Sequence, residues 1–105
     1  MEFIETSIFT RQVMTLLRDD EYRELQIVLS VHPDTGAIIP HSGGLRKIRW
    51  SVLGRGKRGG VRAIYYCVTA RDQILMLFMF SKNVKDDLSP AQLKVLREVV
   101  QKEFK

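Results

Sequence analysis

The chain has 105 residues, a length that suits one domain over residues 1–105 and leaves no room for a second hydrophobic core. Its 45% hydrophobic and 28% charged residues exclude an intrinsically disordered chain, because such chains lack the apolar groups that offset conformational entropy. The formal net charge of +5 favours a polyanionic partner.

The N-terminal segment is predicted to form a short strand followed by a helix. Phe3 to Glu5 alternates in polarity, as the residues of a half-buried strand do. Thr6 or Ser7 then provides a hydroxyl that can cap a helix, and the apolar residues after it recur at helical spacing.

A second helix is predicted immediately afterwards, with Asp19 and Asp20 as its N-terminal caps. Its apolar residues form one stripe, and His32-Pro33 ends it because a proline disfavours helical backbone in the residue before it. The region from Asp34 to Gly44 is rich in glycine and turn-forming residues, so we expect a loop there.

Three consecutive strands are predicted in the centre of the chain. Leu45 to Leu53 alternates between an apolar face and a basic face that carries Lys47 and Arg49. Val61 to Thr69 and Gln73 to Phe80 are rich in β-branched and aromatic residues, and the short segment between them suits an antiparallel hairpin.

The last helix has the clearest local signal. Ser89, Pro90 and Gln92 suit the N-cap, N1 and N3 positions of a capping box. Asp86 and Asp87, just before it, are expected to interact with the positive end of its dipole. The order β-α-α-β-β-β-α predicts an α+β fold in which helices pack against a mainly antiparallel sheet.

The positive charge is concentrated in the middle of the chain. Between Thr35 and Arg71 there are eight basic residues and no acidic residue, whereas the remainder has nine basic and twelve acidic residues. This asymmetry points to a polyanion as the partner. The eight basic residues are Arg46, Lys47, Arg49, Arg55, Lys57, Arg58, Arg62 and Arg71.

A glycine-rich segment, Gly54 to Gly60, separates two of the predicted strands. It contains G-x-G-x-x-G, but a dinucleotide site needs a helix directly after the glycines, where this chain has a predicted strand. A kinase interpretation fails because its other motifs are missing, and a Walker A interpretation fails because Gly60 is followed by Val-Arg rather than by Lys-Ser/Thr. Since Arg55, Lys57 and Arg58 lie among the glycines, we interpret the segment as a phosphate groove rather than a loop with solvated charges.

Four residues on the last two strands each have two interpretations. Arg62 shares a strand face with apolar residues, so it either pairs with an acid or binds a phosphate through its planar guanidinium. Tyr65 and Tyr66 point to opposite faces, so one is expected in the core and the other is available to stack on an RNA base. Lys82 either protects a sheet edge or contributes charge to a site.

Cysteine content and hydropathy bear on the compartment. Because Cys67 is the single cysteine, an intrachain disulfide is excluded, and we interpret Cys67 as a core residue. No Cys/His cluster has the spacing of a zinc site, so we expect no metal. The N-terminus does not resemble a secretory signal, and the longest apolar run, Ile74 to Phe80, is too short to span a bilayer as a helix. We therefore expect a cytoplasmic protein that does not enter a membrane.

Three motifs follow one another along the chain. They are Gly43-Gly44-Leu45-Arg46-Lys47-Ile48-Arg49, then Gly56-Lys57-Arg58-Gly59-Gly60-Val61-Arg62-Ala63-Ile64-Tyr65-Tyr66, and then Ser81-Lys82-Asn83 with Asp87-Leu88. In this order they resemble the motifs of HigB toxins in the RelE superfamily. The resemblance implies the RelE fold and a toxin of a type II toxin–antitoxin pair, which cuts messenger RNA on the ribosome without any cofactor. It also implies an antitoxin protein that holds the toxin inactive, with DNA contacted only through the antitoxin complex.

The resemblance also implies a set of site residues. In such toxins the RNA 2′-hydroxyl attacks its own phosphate, so the protein must assist deprotonation, stabilise the developing charge and aid departure of the 5′-oxygen. Arg62 is expected to clamp the scissile phosphate, and Lys57 or Lys82 to aid proton transfer. The candidate catalytic residues are Lys57, Arg58, Arg62 and Lys82, and the candidate RNA-binding residues are Arg46, Lys47, Arg49, Arg55, Tyr66 and Asn83.

The chain departs from the wider superfamily in two places. Asn83 follows Lys82 where many relatives have arginine, and the tail lacks a tyrosine or histidine, for which Tyr66 is a hypothetical substitute. Two other function classes stay open. One is a non-enzymatic binder on the same fold, such as a ParE-like gyrase inhibitor or a basic RNA-binding module. The other is a stand-alone ribonuclease, which the absence of a histidine pair disfavours.

Overall fold

The computed structural model describes residues 1–51, 60–82 and 87–103. Within these residues the α+β class expected from the sequence is confirmed. The order of elements differs from the prediction by one added strand, β2, which lies in the segment that we expected to be a loop. The elements are β1 (Glu2–Glu5), α1 (Ser7–Leu16), α2 (Asp19–Val31), β2 (Ala37–Ile38), β3 (Arg46–Trp50), β4 (Val61–Val68), β5 (Gln73–Ser81) and α3 (Pro90–Glu103).

The described strands form one sheet in the order β1-β5-β4-β3-β2. β1 runs parallel to β5 and the other neighbouring strands are antiparallel, which confirms the mainly antiparallel prediction. The predicted hairpin is present, with β4 and β5 joined by a short 3-10 turn, Thr69–Arg71. Because β4 is the central strand, its residues are held by hydrogen bonds to a neighbour on each side.

Two of the helix caps agree with the sequence prediction. Thr6 caps α1, since its Oγ1 accepts a hydrogen bond from the Phe9 backbone N–H at 3.1 Å. The capping box of α3 is also present: Ser89 N donates to Gln92 Oε1 at 3.0 Å, and Gln92 N donates to Ser89 Oγ at 3.2 Å. Both caps are purely local features, so the sequence alone is sufficient to predict them.

The predicted caps of α2 were wrong. Asp19 and Asp20 lie inside the first turn of the helix, and the N-cap residue is Arg18. Its backbone N–H donates to Glu21 Oε1 at 2.7 Å, so a buried glutamate at the third helical position caps the helix from inside. The two aspartates still place negative charge at the positive end of the helix dipole.

Apolar side chains are buried on both faces of the sheet, which gives three layers. α1 and α2 pack on one face, and α3 packs on the other, which we call the α3 face. Among the described helices, none has the length and apolar content that crossing a membrane requires. The core under α1 and α2 includes Phe9, Leu25, Leu29, Ile48, Tyr65 and Met76, and the core under α3 includes Leu45, Ile64, Leu77, Leu96 and Val100.

Tyr65 is the core member of the tyrosine pair, and it ties β4 to the segment before β2. Its hydroxyl donates to the Pro33 carbonyl and accepts from Gly36 N, each at 2.8 Å, and burial raises the pKa of this hydroxyl. A Cβ atom on Gly36 would lie 2.8 Å from the tyrosine ring, so this approach requires glycine. Cys67 is half-buried against the same core rather than fully enclosed, and burial raises its pKa as well.

Candidate functional site

Arg62 lies in the middle of the sheet, on the central strand. It is 6% exposed, and in the strand register it lies opposite Arg49 of β3 on one side and Phe80 of β5 on the other. Directly opposed residues point to the same side of a sheet, so these three side chains share the α3 face. Because β4 is hydrogen-bonded to a strand on each side, the backbone position from which the Arg62 side chain extends is fixed.

Lys82 approaches Arg62 at Gly60, directly before β4. The Lys82 backbone N–H donates to the Gly60 carbonyl at 3.2 Å, which aligns the end of β5 with the start of β4. A Cβ atom on Gly60 would lie 3.8 Å from Arg62 Nη1 and 3.8 Å from Lys82 Cδ. The two side chains therefore flank the same point of the backbone, and the structure brings this pair of candidate catalytic residues together.

Lys47 and Arg49 extend the positive charge along β3. They are two residues apart, so they lie on the same face of the strand, as the alternation predicted. Because Arg49 is opposite Arg62, this face is the α3 face. We call Lys47, Arg49, Arg62 and Lys82 the cationic face.

Asp87 contacts this face directly. Its Oδ1 lies 3.2 Å from Lys47 Nζ, and the same oxygen accepts a bond from the Leu88 backbone N–H at 3.2 Å. Asp87 lies just before α3, where the sequence placed it, and its carboxylate also pairs with Lys47 of β3. No local pattern predicts this pairing, although Asp87 belongs to one of the motifs.

Arg46 lies apart from the cationic face. It is opposite Tyr65 in the strand register, and neighbouring residues of a strand point to opposite faces, so its side chain leaves the sheet on the side away from Lys47. Its Nη1 donates to the Gly36 carbonyl at 2.7 Å and to the Asp34 carbonyl at 3.2 Å. In the structure Arg46 thus holds the segment before β2.

Tyr66 shares the α3 face but lies at a distance from Arg62. Ile64 separates the two along β4, and four residues of a strand span about 13 Å. The Tyr66 ring instead packs against Gly44, where a Cβ atom would lie 3.2 Å from Cε1 and where φ is +102°. The geometry therefore does not place Tyr66 where it could replace a catalytic aromatic residue beside Arg62.

The remaining candidates lie outside the described residues. They are the catalytic candidates Lys57 and Arg58, the RNA-binding candidates Arg55 and Asn83, the rest of the glycine-rich segment before Gly60, and Asp86. The described part of the candidate site is therefore the cationic face together with Gly60 and Asp87.

The fold and the cationic face together define a small α+β protein with a positively charged sheet surface, the kind of surface that holds a polyanion. Residues 8–105 match the family model of the RelE toxin of the RelE/RelB toxin–antitoxin system. Because the match covers nearly the whole chain, this protein belongs to the RelE toxin family. It is a toxin of a toxin–antitoxin system, and its expected partner is an antitoxin of the RelB type.

Proposed function

We propose that this protein is a HigB-type, ribosome-dependent endoribonuclease that cleaves messenger RNA and thereby inhibits translation. The observation that carries the proposal is the meeting of Arg62 and Lys82 at Gly60, with Arg49 opposite Arg62. A surface that only attracts RNA needs positive charge but no buried guanidinium beside an exposed ammonium group. Such a pair suits a phosphoryl-transfer site, which must hold the phosphate and also handle protons.

The reaction requires that a bond forms between the 2′-oxygen and the phosphorus while the bond from phosphorus to the 5′-oxygen breaks. The proton of the 2′-hydroxyl has to leave, and the departing 5′-oxygen has to gain a proton. Between these events the phosphate carries additional negative charge on its equatorial oxygens. The products are a 2′,3′-cyclic phosphate and a 5′-hydroxyl, and no metal is needed to balance the step.

Arg62 is suited to stabilise the charged phosphate. Its guanidinium is planar and can donate two parallel hydrogen bonds to two phosphate oxygens. Because Arg62 is buried, its interaction with a phosphate is screened less by water than that of a surface arginine. Its position on the central strand also reduces the reorganisation needed when charge develops.

Lys82 is suited to a different task. It is exposed at the end of β5, so its ammonium group can reach the departing 5′-oxygen and supply a proton to it. Lys57, which the sequence places in the glycine-rich segment, is the candidate for the other proton transfer, removal of the proton from the 2′-hydroxyl. Lys47 and Arg49 then bind the RNA backbone next to the cleaved phosphate.

The proposed dependence on the ribosome is supported by the residue types of the described site. The cationic face contains no histidine, the side chain that most often serves in general acid–base catalysis. Much of the rate enhancement then has to come from the ribosome, which holds the message in a fixed, reactive geometry. We therefore expect little cleavage of naked RNA by the isolated toxin.

The proposal is tested by primer extension on a message that is being translated by purified ribosomes. We expect cuts within the coding region with the wild-type protein and their loss with Arg62→Ala and Lys82→Ala. Lys94→Ala, which removes an exposed lysine on α3, is the matched control and should cut like the wild type. Absence of ribosome-dependent cuts, together with inhibition of DNA supercoiling, would instead identify a gyrase-binding protein.

A further inference from the structure

The ion pair between Lys47 and Asp87 joins two distant parts of the chain on the α3 face. Lys47 lies on β3, and Asp87 lies just before α3. Lys47 Nζ and Asp87 Oδ1 are 3.2 Å apart. The Asp87 carboxylate is therefore already bound to Lys47, the first residue of the cationic face in chain order.

The two partners differ in exposure. The Lys47 side chain is only 15% exposed, whereas the Asp87 side chain is 65% exposed. An ion pair with one partner so open to water contributes little to stability. The ammonium group is thus fixed in place, while the carboxylate can be replaced at little cost.

The position of Lys47 relative to the other cations decides what can replace the carboxylate. Lys47 and Arg49 are separated by about 6–7 Å along the same face of β3, and Arg49 lies opposite Arg62. A nucleic-acid strand whose phosphate is held at Arg62 therefore runs past Arg49 and brings another phosphate near Lys47. Phosphate and carboxylate oxygens make the same charge-assisted hydrogen bonds to an ammonium group.

We propose that the Asp87 carboxylate occupies a phosphate-binding position at Lys47 in the RNA-free toxin, and that a backbone phosphate flanking the cleaved one displaces it. This inference rests on the proposed function, because it concerns how the same face receives RNA. A single small anion contacts only Lys47, so it has to compete with the Asp87 carboxylate without help from other contacts. A polymer is also held at Arg49 and Arg62, so it displaces the carboxylate, and Asp87 thereby favours RNA over small anions.

The test is equilibrium binding of a fluorescent 2′-O-methyl RNA oligonucleotide, which lacks the attacking hydroxyl and is not cleaved. At low ionic strength we expect Asp87→Asn to tighten binding by about two- to fivefold, the range that corresponds to an exposed ion pair. Lys47→Met should weaken binding, and Asp87→Glu, which keeps the charge, should bind like the wild type. Glu98→Gln is the matched control, since it removes an exposed acid from α3 outside the cationic face.

Three outcomes would overturn the inference. Weaker binding by Asp87→Asn would mean that the carboxylate holds Lys47 ready for RNA instead of competing with it. An equal gain from Glu98→Gln would mean that only the overall charge matters, and an unchanged affinity of Lys47→Met would mean that no phosphate reaches Lys47. The proposed cleavage is tested separately on the ribosome, so it can stand when this inference fails. Thermal melts of the variants establish that each one is folded.

Discussion

Arg49 and Arg62 lie directly opposite each other in the β3–β4 ladder, with both side chains on the α3 face. Like charges at directly opposed positions of a sheet destabilise it. Arg62 is also buried, which makes its charge more costly than that of an exposed arginine. A phosphate bound between the two guanidinium groups, as the proposed function requires, would offset this repulsion.

Removing one charge of this pair should stabilise the free protein. Arg49→Gln is expected to raise the free energy of unfolding by about 0.2–1 kcal/mol, and to raise Tm by roughly 1–5 °C. The measurement is calorimetry at low salt, with Arg23→Gln on the exposed side of α2 as the control for net charge. A melting temperature below that of the wild type would show that the arginine pair is not under repulsion.

How much of this arrangement can be predicted from sequence depends on whether its cause is local. The capping box of Ser89 and Gln92 and the alternation that places Lys47 and Arg49 on one face were both predicted correctly, because neighbouring residues determine them. β2 was missed because two residues have no periodicity of their own. Ala37 and Ile38 form a strand only because β3 is there to pair with.

The candidate site shows the same limit. The motifs identified Arg62 and Lys82 correctly as neighbours, since consecutive antiparallel strands bring their ends together. Arg46 was grouped with the RNA-binding candidates through the family resemblance, and in the structure it points to the other face and binds backbone carbonyls. The Lys47–Asp87 pair joins residues that are 40 positions apart, and no local pattern specifies it.

The hydroxyl of Tyr65 should matter for stability and not for RNA cleavage. Tyr65→Phe removes a buried hydrogen bond with Gly36 and a partly buried one to Pro33, and we expect a loss of about 1–3 kcal/mol in the free energy of unfolding. Urea titration measures this loss. Thr35→Ala, which removes an exposed hydrogen bond to the His32 carbonyl, should cost far less. An equal loss in the two variants would contradict the anchoring role of Tyr65.

The buried tyrosines should make the protein sensitive to alkaline pH. Burial, and for Tyr22 also its hydrogen bond to Glu5, raises the pKa of Tyr22 and Tyr65 above the ordinary value of about 10. The folded state then holds these protons more tightly than the unfolded state, so the contribution of the two tyrosines to stability is constant below about pH 10 and falls as the pH rises further. Urea unfolding between pH 8 and about 11 measures the fall. Its persistence in a Tyr22→Phe, Tyr65→Phe double variant would assign it to other groups.

Gly60 offers a way to separate Arg62 from Lys82 without removing either charge. Its backbone is not left-handed, and a Cβ atom would lie 3.8 Å from each side chain, so Gly60→Ala should fold and should cleave within about twofold of the wild type. The branched side chain of Gly60→Val has to push the guanidinium and the lysine stem apart. A displacement of about 1 Å at a reacting group can cost up to 10²-fold in rate. We therefore expect Gly60→Val to slow ribosome-dependent cleavage at least about tenfold, as measured by primer extension on a translated message. A valine variant that stays folded and cuts at the wild-type rate would show that the reaction does not depend on the spacing between these two residues.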